Sequence, residues 1–266
     1  MRIALGVEYE GSPFTGWQSQ PHGNTVQDVL ERALTSVAGV PVATVCAGRT
    51  DTGVHALGQV VHFDTNVMRP DTAWVRGVNA NLPAAVGVRW AVPVGDDFHA
   101  RFCARARSYR YLLLDRPVRP ALLHGRVGWH HTPLDVGAMN AAAARLVGEH
   151  DFSTFRSSEF QAKSPVKLMR VATAARQADL IVFDFTASAF LHHMVRNLVG
   201  ALVYIGSGRQ SPEWVDALLA ARDRSKSAPT FAASGLYFVG AEYGPEWSLP
   251  SSGRIMASSH ILPLPT

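Results

Sequence analysis

The segment TVQDVLERALTSVAG, residues 25–39, constrains the fold more than any other stretch. Val26, Leu30, Ala33, Leu34 and Val37 recur at helical spacing, so one apolar stripe has to be laid against another element. Thr25 with Asp28 three residues on supplies a capping start, and Gly39 a stop. The partner surface lies on either side in the chain. RIALGVEYE (2–10) reads as a strand, and VATVCAGRTDTGVHALGQVVHFDT (42–65) as two strand-like halves around a polar centre. A helix near TAWVRGVNANL (72–82) and a strand at VGVRWAVPV (86–94) close one small α+β half.

The same rhythm returns further on. SYRYLLLD (108–115) reads as a strand, DVGAMNAAAARLV (135–147) as a helix and LIVFDFTASAF (180–190) as a strand, with the polar stretch RSSEFQAKSPVKLMR (156–170) read as a loop between them. FLHHMVRNLVGALVYIG (190–206) places Leu191, Met194, Val195, Leu198, Leu202 and Ile205 on one helical face. SPEWVDALLAARD (211–223) starts a further helix with Ser at the cap and Pro at the first position, and GLYFVGAEY (235–243) is the last strand. The reading is an α+β chain in two halves, 1–104 and 105–248, with 249–266 as a flexible tail that has neither periodicity nor caps.

Composition excludes several classes. With 47% hydrophobic and 17% charged residues over 266 positions the chain is that of a folded globular protein, and no apolar run approaches the ~18 residues of a membrane span. MRIALGVEYEG reaches Glu8 too soon for a signal peptide, so a cytoplasmic location is expected. Cys46 and Cys103 show no C-x-x-C spacing, which leaves them as thiols and gives no metal site or disulfide framework. A net charge of +4, carried mostly by Arg, favours an acidic partner and puts nucleic acid above a small molecule.

The polar centre of the first half is CAGRTDTGVHALGQ, from Cys46. Burial of a strand would favour Val or Ile where Arg49, Thr50, Asp51, Thr52 and His55 stand. An Asp beside Gly is commonly a turn residue bonded to its own backbone. The surrounding cluster points further: Arg49, two residues before Asp51, would project to the same side of an extended segment and hold the carboxylate ionised, as a nucleophile or base. Gly48 and Gly53 leave room for a ligand. Asp51-Thr52-Gly53 also spells the DTG of aspartic proteases, but no second DTG occurs and an adjacent guanidinium opposes a shared proton.

AGRTDTGVHALGQVVHF resembles the signature of the tRNA pseudouridine synthase A family, in which the aspartate of a G-R-T-D-x-G-V-H-A run is the catalytic nucleophile. EYEGSPFTGWQSQ, TVQDVLERAL, FHARFCARARSYRYLL, HDFSTFRS, FLHHMVRNLVG and GLYFV agree in colinear order, over about residues 3 to 247. The resemblance implies two RRM/ferredoxin-like halves forming an extended antiparallel sheet with flanking helices and a central active-site cleft. It implies a homodimer acting on the tRNA anticodon stem-loop, at uridines 38, 39 and 40, with Asp51 as nucleophile.

The chemistry fits the residues independently. Pseudouridine forms when uracil leaves the ribose at N1 and returns through C5, so no atom is gained and no redox equivalent is needed. A cofactor is therefore not expected, in keeping with a sequence that lacks Rossmann glycines, a P-loop or metal-ligand spacing. The reaction needs a carboxylate that attacks ribose C1′ or uracil C6, or assists departure of the base, and a target nucleotide taken out of the stack.

The resemblance also gives roles to residues other than Asp51. It sets Tyr109 against the target base, with Tyr111 on the same strand face as an internal control, Arg196 beside the aspartate, Leu236 against the base, and Arg49 as the side chain that displaces it. His55 is expected to support the loop. His192 and His193, neighbours on a helix, would point about 100° apart and suit no shared ion. Arg101, Arg105, Arg107 and Arg110 are expected around Tyr109, some of them on phosphate. An RNA-binding module with a dead site and an aspartic protease are the competing functions, and tritium release from uracil C5 separates all three.

Overall fold

The structure is a computed structural model and describes residues 1–157 and 164–250; the tail beyond them, and residues 158–163 of the polar stretch, lie outside the described residues. Two units divide the chain: Met1–Ala106 with the segment from Tyr237 on, and Arg107–Leu236.

In the first unit β1 (Arg2–Tyr9) runs antiparallel between β3 (His55–Asp64) and β4 (Val86–Val94). The outer edge of β3 is shared by two short partners. β2 (Val45–Cys46) pairs antiparallel near its end, Val45 opposite His62, and β10 (Leu236–Glu242) pairs parallel at its start, Tyr237 opposite His55. Ile3, Leu5 and Val7 of β1 and Val61 and Phe63 of β3 are buried, and α1 (Val26–Ala38) adds Leu30, Ala33 and Leu34. The capping reading of α1 holds: Thr25 Oγ1 accepts from the Asp28 amide at 3.2 Å, and Gly39 ends the helix in the left-handed region at φ 76°. The helix expected near 72–82 contains a π-helical turn, Ala73–Gly77. It buries Trp74 edge-on to the Phe63 ring at 5.2 Å.

The second unit has the antiparallel order β5 (Ala106–Asp115), β9 (Leu180–Ala187), β8 (Val166–Gln177), β7 (Gly148–Asp151), with β6 (Gly128–His130) parallel to β5 on its other side. α2 (Val136–Ala144) packs on β8 and against α3 (Met194–Gly206), over a core that includes Tyr111, Phe183, Phe185, Met139 and Leu198. Both units are α+β and mostly antiparallel, as the sequence implies.

Three local readings are corrected. VKLMR belongs to β8 and not to a loop: between Met169, opposite Ala187, and Val171, opposite Thr186, the register shifts, so Arg170 is an extra residue that breaks the period-two pattern. α3 starts at Met194, not at Phe190, because His193 takes a left-handed conformation at φ 61°. The helix at 214–221, α4 (Trp214–Ala221), starts later than the Ser-Pro cap: Ser211 and Pro212 form a tight turn whose carbonyls accept from Trp214 and Val215 at 3.0 and 3.4 Å.

Candidate active site

The Asp51 loop fills the stretch of β3 edge between β2 and β10. Ala47 N–H still donates to Val60 O at 2.8 Å, extending the β2 ladder by one bond. Gln59, buried in β3, then takes over from a strand: its Nε2 donates to Gly48 O at 2.6 Å and its Oε1 accepts from the Gly48 amide at 3.4 Å. Beyond Gly48 the chain leaves the sheet, exposing Arg49 and half-burying Asp51.

The residues on both sides of Asp51 are gripped by the segment Tyr9–Trp17. Thr50 O accepts from the Trp17 amide at 3.0 Å, and the Thr50 hydroxyl meets the Tyr9 hydroxyl at 2.7 Å in the interior. Asp51 itself opens a tight turn in which Val54 N–H donates to Asp51 O at 3.1 Å, with Gly53 at φ 78° where an L side chain would be strained. Gly11 and Gly16 are required for close approach. A Cβ on Gly11 would overlap the Val54 carbonyl, and one on Gly16 would come within 2.9 Å of Thr50 O. His55 supports the loop as expected: it is buried, its Nδ1 accepts from the Gly11 amide at 3.0 Å, and its ring stacks on Tyr237 at 4.6 Å. Burial pushes the Cys46 thiol up to about 12, with nearby Arg49 and Arg101 opposing, so this cysteine stays a thiol.

Tyr109, Arg196 and Leu236 are found in the second unit. Tyr109 and Tyr111 share a face of β5, opposite Phe185 and Phe183, yet their surroundings differ. Tyr111 is fully buried and donates to Ala232 O at 2.9 Å; Tyr109 is half-buried, with the Phe190 ring edge-on at 4.9 Å. Arg196, in the first turn of α3, is not a surface side chain with a free stem: its Nε donates to Phe231 O at 2.9 Å, and Phe231 N–H donates to Arg196 O at 3.2 Å. Leu236 is buried, its amide donating to Ala233 O at 2.9 Å. A single segment, 228–236, thus ties Arg196, Tyr111 and Leu236 together within the unit.

That segment is held by a network the sequence reading missed. Asn197 is completely buried; its Nδ2 donates to Phe155 O at 2.7 Å, and its Oδ1 accepts from Thr230 Oγ1 at 2.6 Å and Arg224 Nη2 at 3.1 Å. Arg224 Nη1 donates in addition to Ala228 O at 2.9 Å. The available signal was an amide side chain directly after Arg196 in an otherwise apolar helix.

The four arginines expected around Tyr109 have partners of their own, and the expectation for the histidine pair changes. Arg110 makes a bidentate pair with Asp184 at 2.7 and 3.0 Å, Arg107 donates to Ser188 O at 3.2 Å, Arg105 pairs with Glu246 at 3.0 Å, and the Arg101 guanidinium stands over Phe102. His192 and His193 do not diverge; they precede α3, and the turn at His193 stacks their rings at 3.9 Å.

The chain matches the tRNA pseudouridine synthase family over residues 6–103 and 142–244. It is 64% identical over 250 residues to the tRNA pseudouridine synthase A of Dechloromonas aromatica, covering 94% of this chain and 95% of that one. It is 62% identical to the protein of the same name from Aromatoleum aromaticum, over 98% of this chain and 99% of that one. With the Chromobacterium violaceum protein of that name it shares 62% identity, over 94% and 96%. No helix among the described residues is long and apolar enough to cross a membrane.

Proposed function

Since the chain belongs to the tRNA pseudouridine synthase family, we propose that it isomerises uridine to pseudouridine at positions 38, 39 and 40 of the tRNA anticodon stem-loop, with Asp51 as nucleophile. The observation that carries this reading is the Asp51 loop: a half-buried carboxylate in a GRTDTGVHA run, with the residues before and after it held by main-chain bonds. Such a loop offers its acid in one position, as attack at a single carbon of a flipped nucleotide requires.

In this mechanism the Asp51 carboxylate attacks ribose C1′ or uracil C6, the N1–C1′ bond breaks, and the uracil turns to present C5. The C5–C1′ bond forms, the bond from the Asp51 carboxylate to C1′ or C6 breaks and frees the acid, the C5 hydrogen leaves as a proton, and N1 gains one. Arg49, exposed on the same loop, takes the place of the target base in the RNA. Tyr109 stacks on the uracil, Leu236 lies against it, and Arg196 stands beside the carboxylate, the roles the family resemblance gives them. A homodimer in the cytoplasm, with one tRNA touching both subunits, is the assembly that accompanies this reading; sedimentation with and without tRNA measures it.

Asp51→Asn tests the mechanism. Expected is no tritium release from C5-labelled tRNA, with affinity for the same tRNA within a few-fold of the parent, because the carboxylate forms the covalent bond while phosphate contacts supply most of the binding. Turnover retained in that variant sinks the nucleophile assignment.

A further inference from the structure

Phe102 is 75% exposed, the most exposed Phe, Trp or Tyr among the described residues. An isolated apolar side chain on a surface needs no explanation, but this one is built into a fixed setting. Its ring stacks on His99, centroids 4.2 Å apart and planes 28° from parallel. The imidazole is itself locked: Nδ1 accepts from the backbone amides of Arg101 and Phe102 at 3.2 Å each. The turn is closed by Cys103 N–H donating to His99 O at 2.9 Å, and held from beneath by Ala100, whose amide donates to His62 Nδ1 at 3.1 Å and whose carbonyl accepts from Tyr243 at 2.6 Å. Burial, with Arg2 and Arg101 nearby, holds His99 below its ordinary pKa and so keeps the accepting nitrogen unprotonated.

Charge accompanies the ring. The Arg101 guanidinium lies 5.7 Å from the Phe102 centroid, within cation–π range. Arg101 and Arg49 both act on the Cys46 thiol, which places this turn in the neighbourhood of the Asp51 loop, inside the same unit. A pre-oriented aromatic face beside a guanidinium suits a partner with a π-face and a negative backbone, which is single-stranded RNA.

We propose that Phe102, backed by His99 and flanked by Arg101, is a stacking platform for an unpaired base of the substrate RNA other than the uridine being isomerised, with Arg101 on the adjoining phosphate. This rests on the tRNA reading above and adds to it a contact that orients the loop as it enters. Because Phe102 contributes little to the core, its removal should leave melting temperature unchanged.

The test measures affinity for a fluorescently labelled anticodon stem-loop across a salt series, after tritium release has established that the parent protein isomerises uridine; failure of that first step concerns the proposed function and not the platform. Phe102→Leu should weaken binding about ten-fold at every salt concentration, the effect appearing in KM and not in kcat, while Phe102→Tyr binds like the parent. Arg101→Gln should instead flatten the dependence of log K on log salt by about 0.7 to 0.9. Parent-like affinity in Phe102→Leu overturns the proposal. So does a changed sedimentation coefficient of that variant without RNA, which would give the ring to a second copy of the chain.

Discussion

The two units hold their candidate residues by different means. In the first, the Asp51 loop is placed chiefly by close approach of main chain: the Trp17 amide bonds Thr50 O, two glycines let one backbone lie directly on another, and the Gly11 amide adds a bond to the His55 ring. In the second, Tyr109 and Arg196 sit on regular elements, β5 and α3, and side chains pin the segment that runs past them, Tyr111 to Ala232 O and Arg196 to Phe231 O. A backbone grip has no rotamers through which to relax, so a misfit there is passed to the carboxylate. A side-chain pin can be lost with a local cost in stability while the element that carries the functional residue stays in place.

The sharpest way to break this comparison is Gly11→Ala. The added methyl meets the carbonyl of Val54, the residue whose amide closes the Asp51–Val54 turn, and has to displace it. We expect kcat to fall about a hundred-fold with tRNA affinity largely retained, since a shift on the order of 1 Å is enough for that loss. Single-turnover rates measure it. A variant that turns over within a few-fold of the parent shows that the grip is not what positions the acid.

Acid probes the first unit in a second way. His62 is buried beside Arg2 and His99, and burial first, then these charges, pull its pKa down to about 4. With the folded value below the ordinary 6.5, the neutral ring contributes stability that is complete above pH 6.5 and is lost as pH falls toward 4. Urea unfolding at about pH 7.5 and about pH 4.5 should differ by roughly 2–3 kcal/mol from this group, and His62→Gln should remove that part of the slope. An unaltered acid slope in His62→Gln assigns the sensitivity elsewhere.

The smallest effect belongs to the second unit. Tyr111→Phe removes the bond to Ala232 O and should cost about 1 kcal/mol in thermal unfolding while catalysis stays near normal. Tyr109→Ala, on the same strand face, should do the reverse, slowing turnover with little change in melting temperature. If Tyr111→Phe is the variant that stops turnover, side-chain pins in this unit position the chemistry as directly as the backbone grip does in the other.

What was legible in the sequence follows the same division. α1 declared itself because its stripe and both caps lie within fifteen neighbouring positions, and the Asp51 loop because its polar cluster is contiguous. β8 did not, since one extra residue at Arg170 moves the alternation out of phase halfway along. The start of α3 did not either: a left-handed histidine carries no mark in a string of letters. The grip on Asp51 comes from residues about forty positions away, and Asn197 is joined to Arg224 and Thr230 from further along the chain, partners that no local period connects.

The pairing of β10 with the start of β3 has a consequence for how the protein is made. Tyr237, whose ring covers His55, leaves the ribosome 182 residues after it (237 minus 55), once the whole of the second unit has been synthesised. At 5–20 residues per second that is a delay of roughly 10 to 40 s. During that interval the β3 edge beside the Asp51 loop stands open, a template for foreign strands as much as for its own. A nascent chain shorter than about 240 residues has Asp51 but not the Tyr237 ring that stacks on His55, so the first unit begun is among the last to be finished, and truncation near the C-terminal strand should be read out as aggregation of the N-terminal sheet.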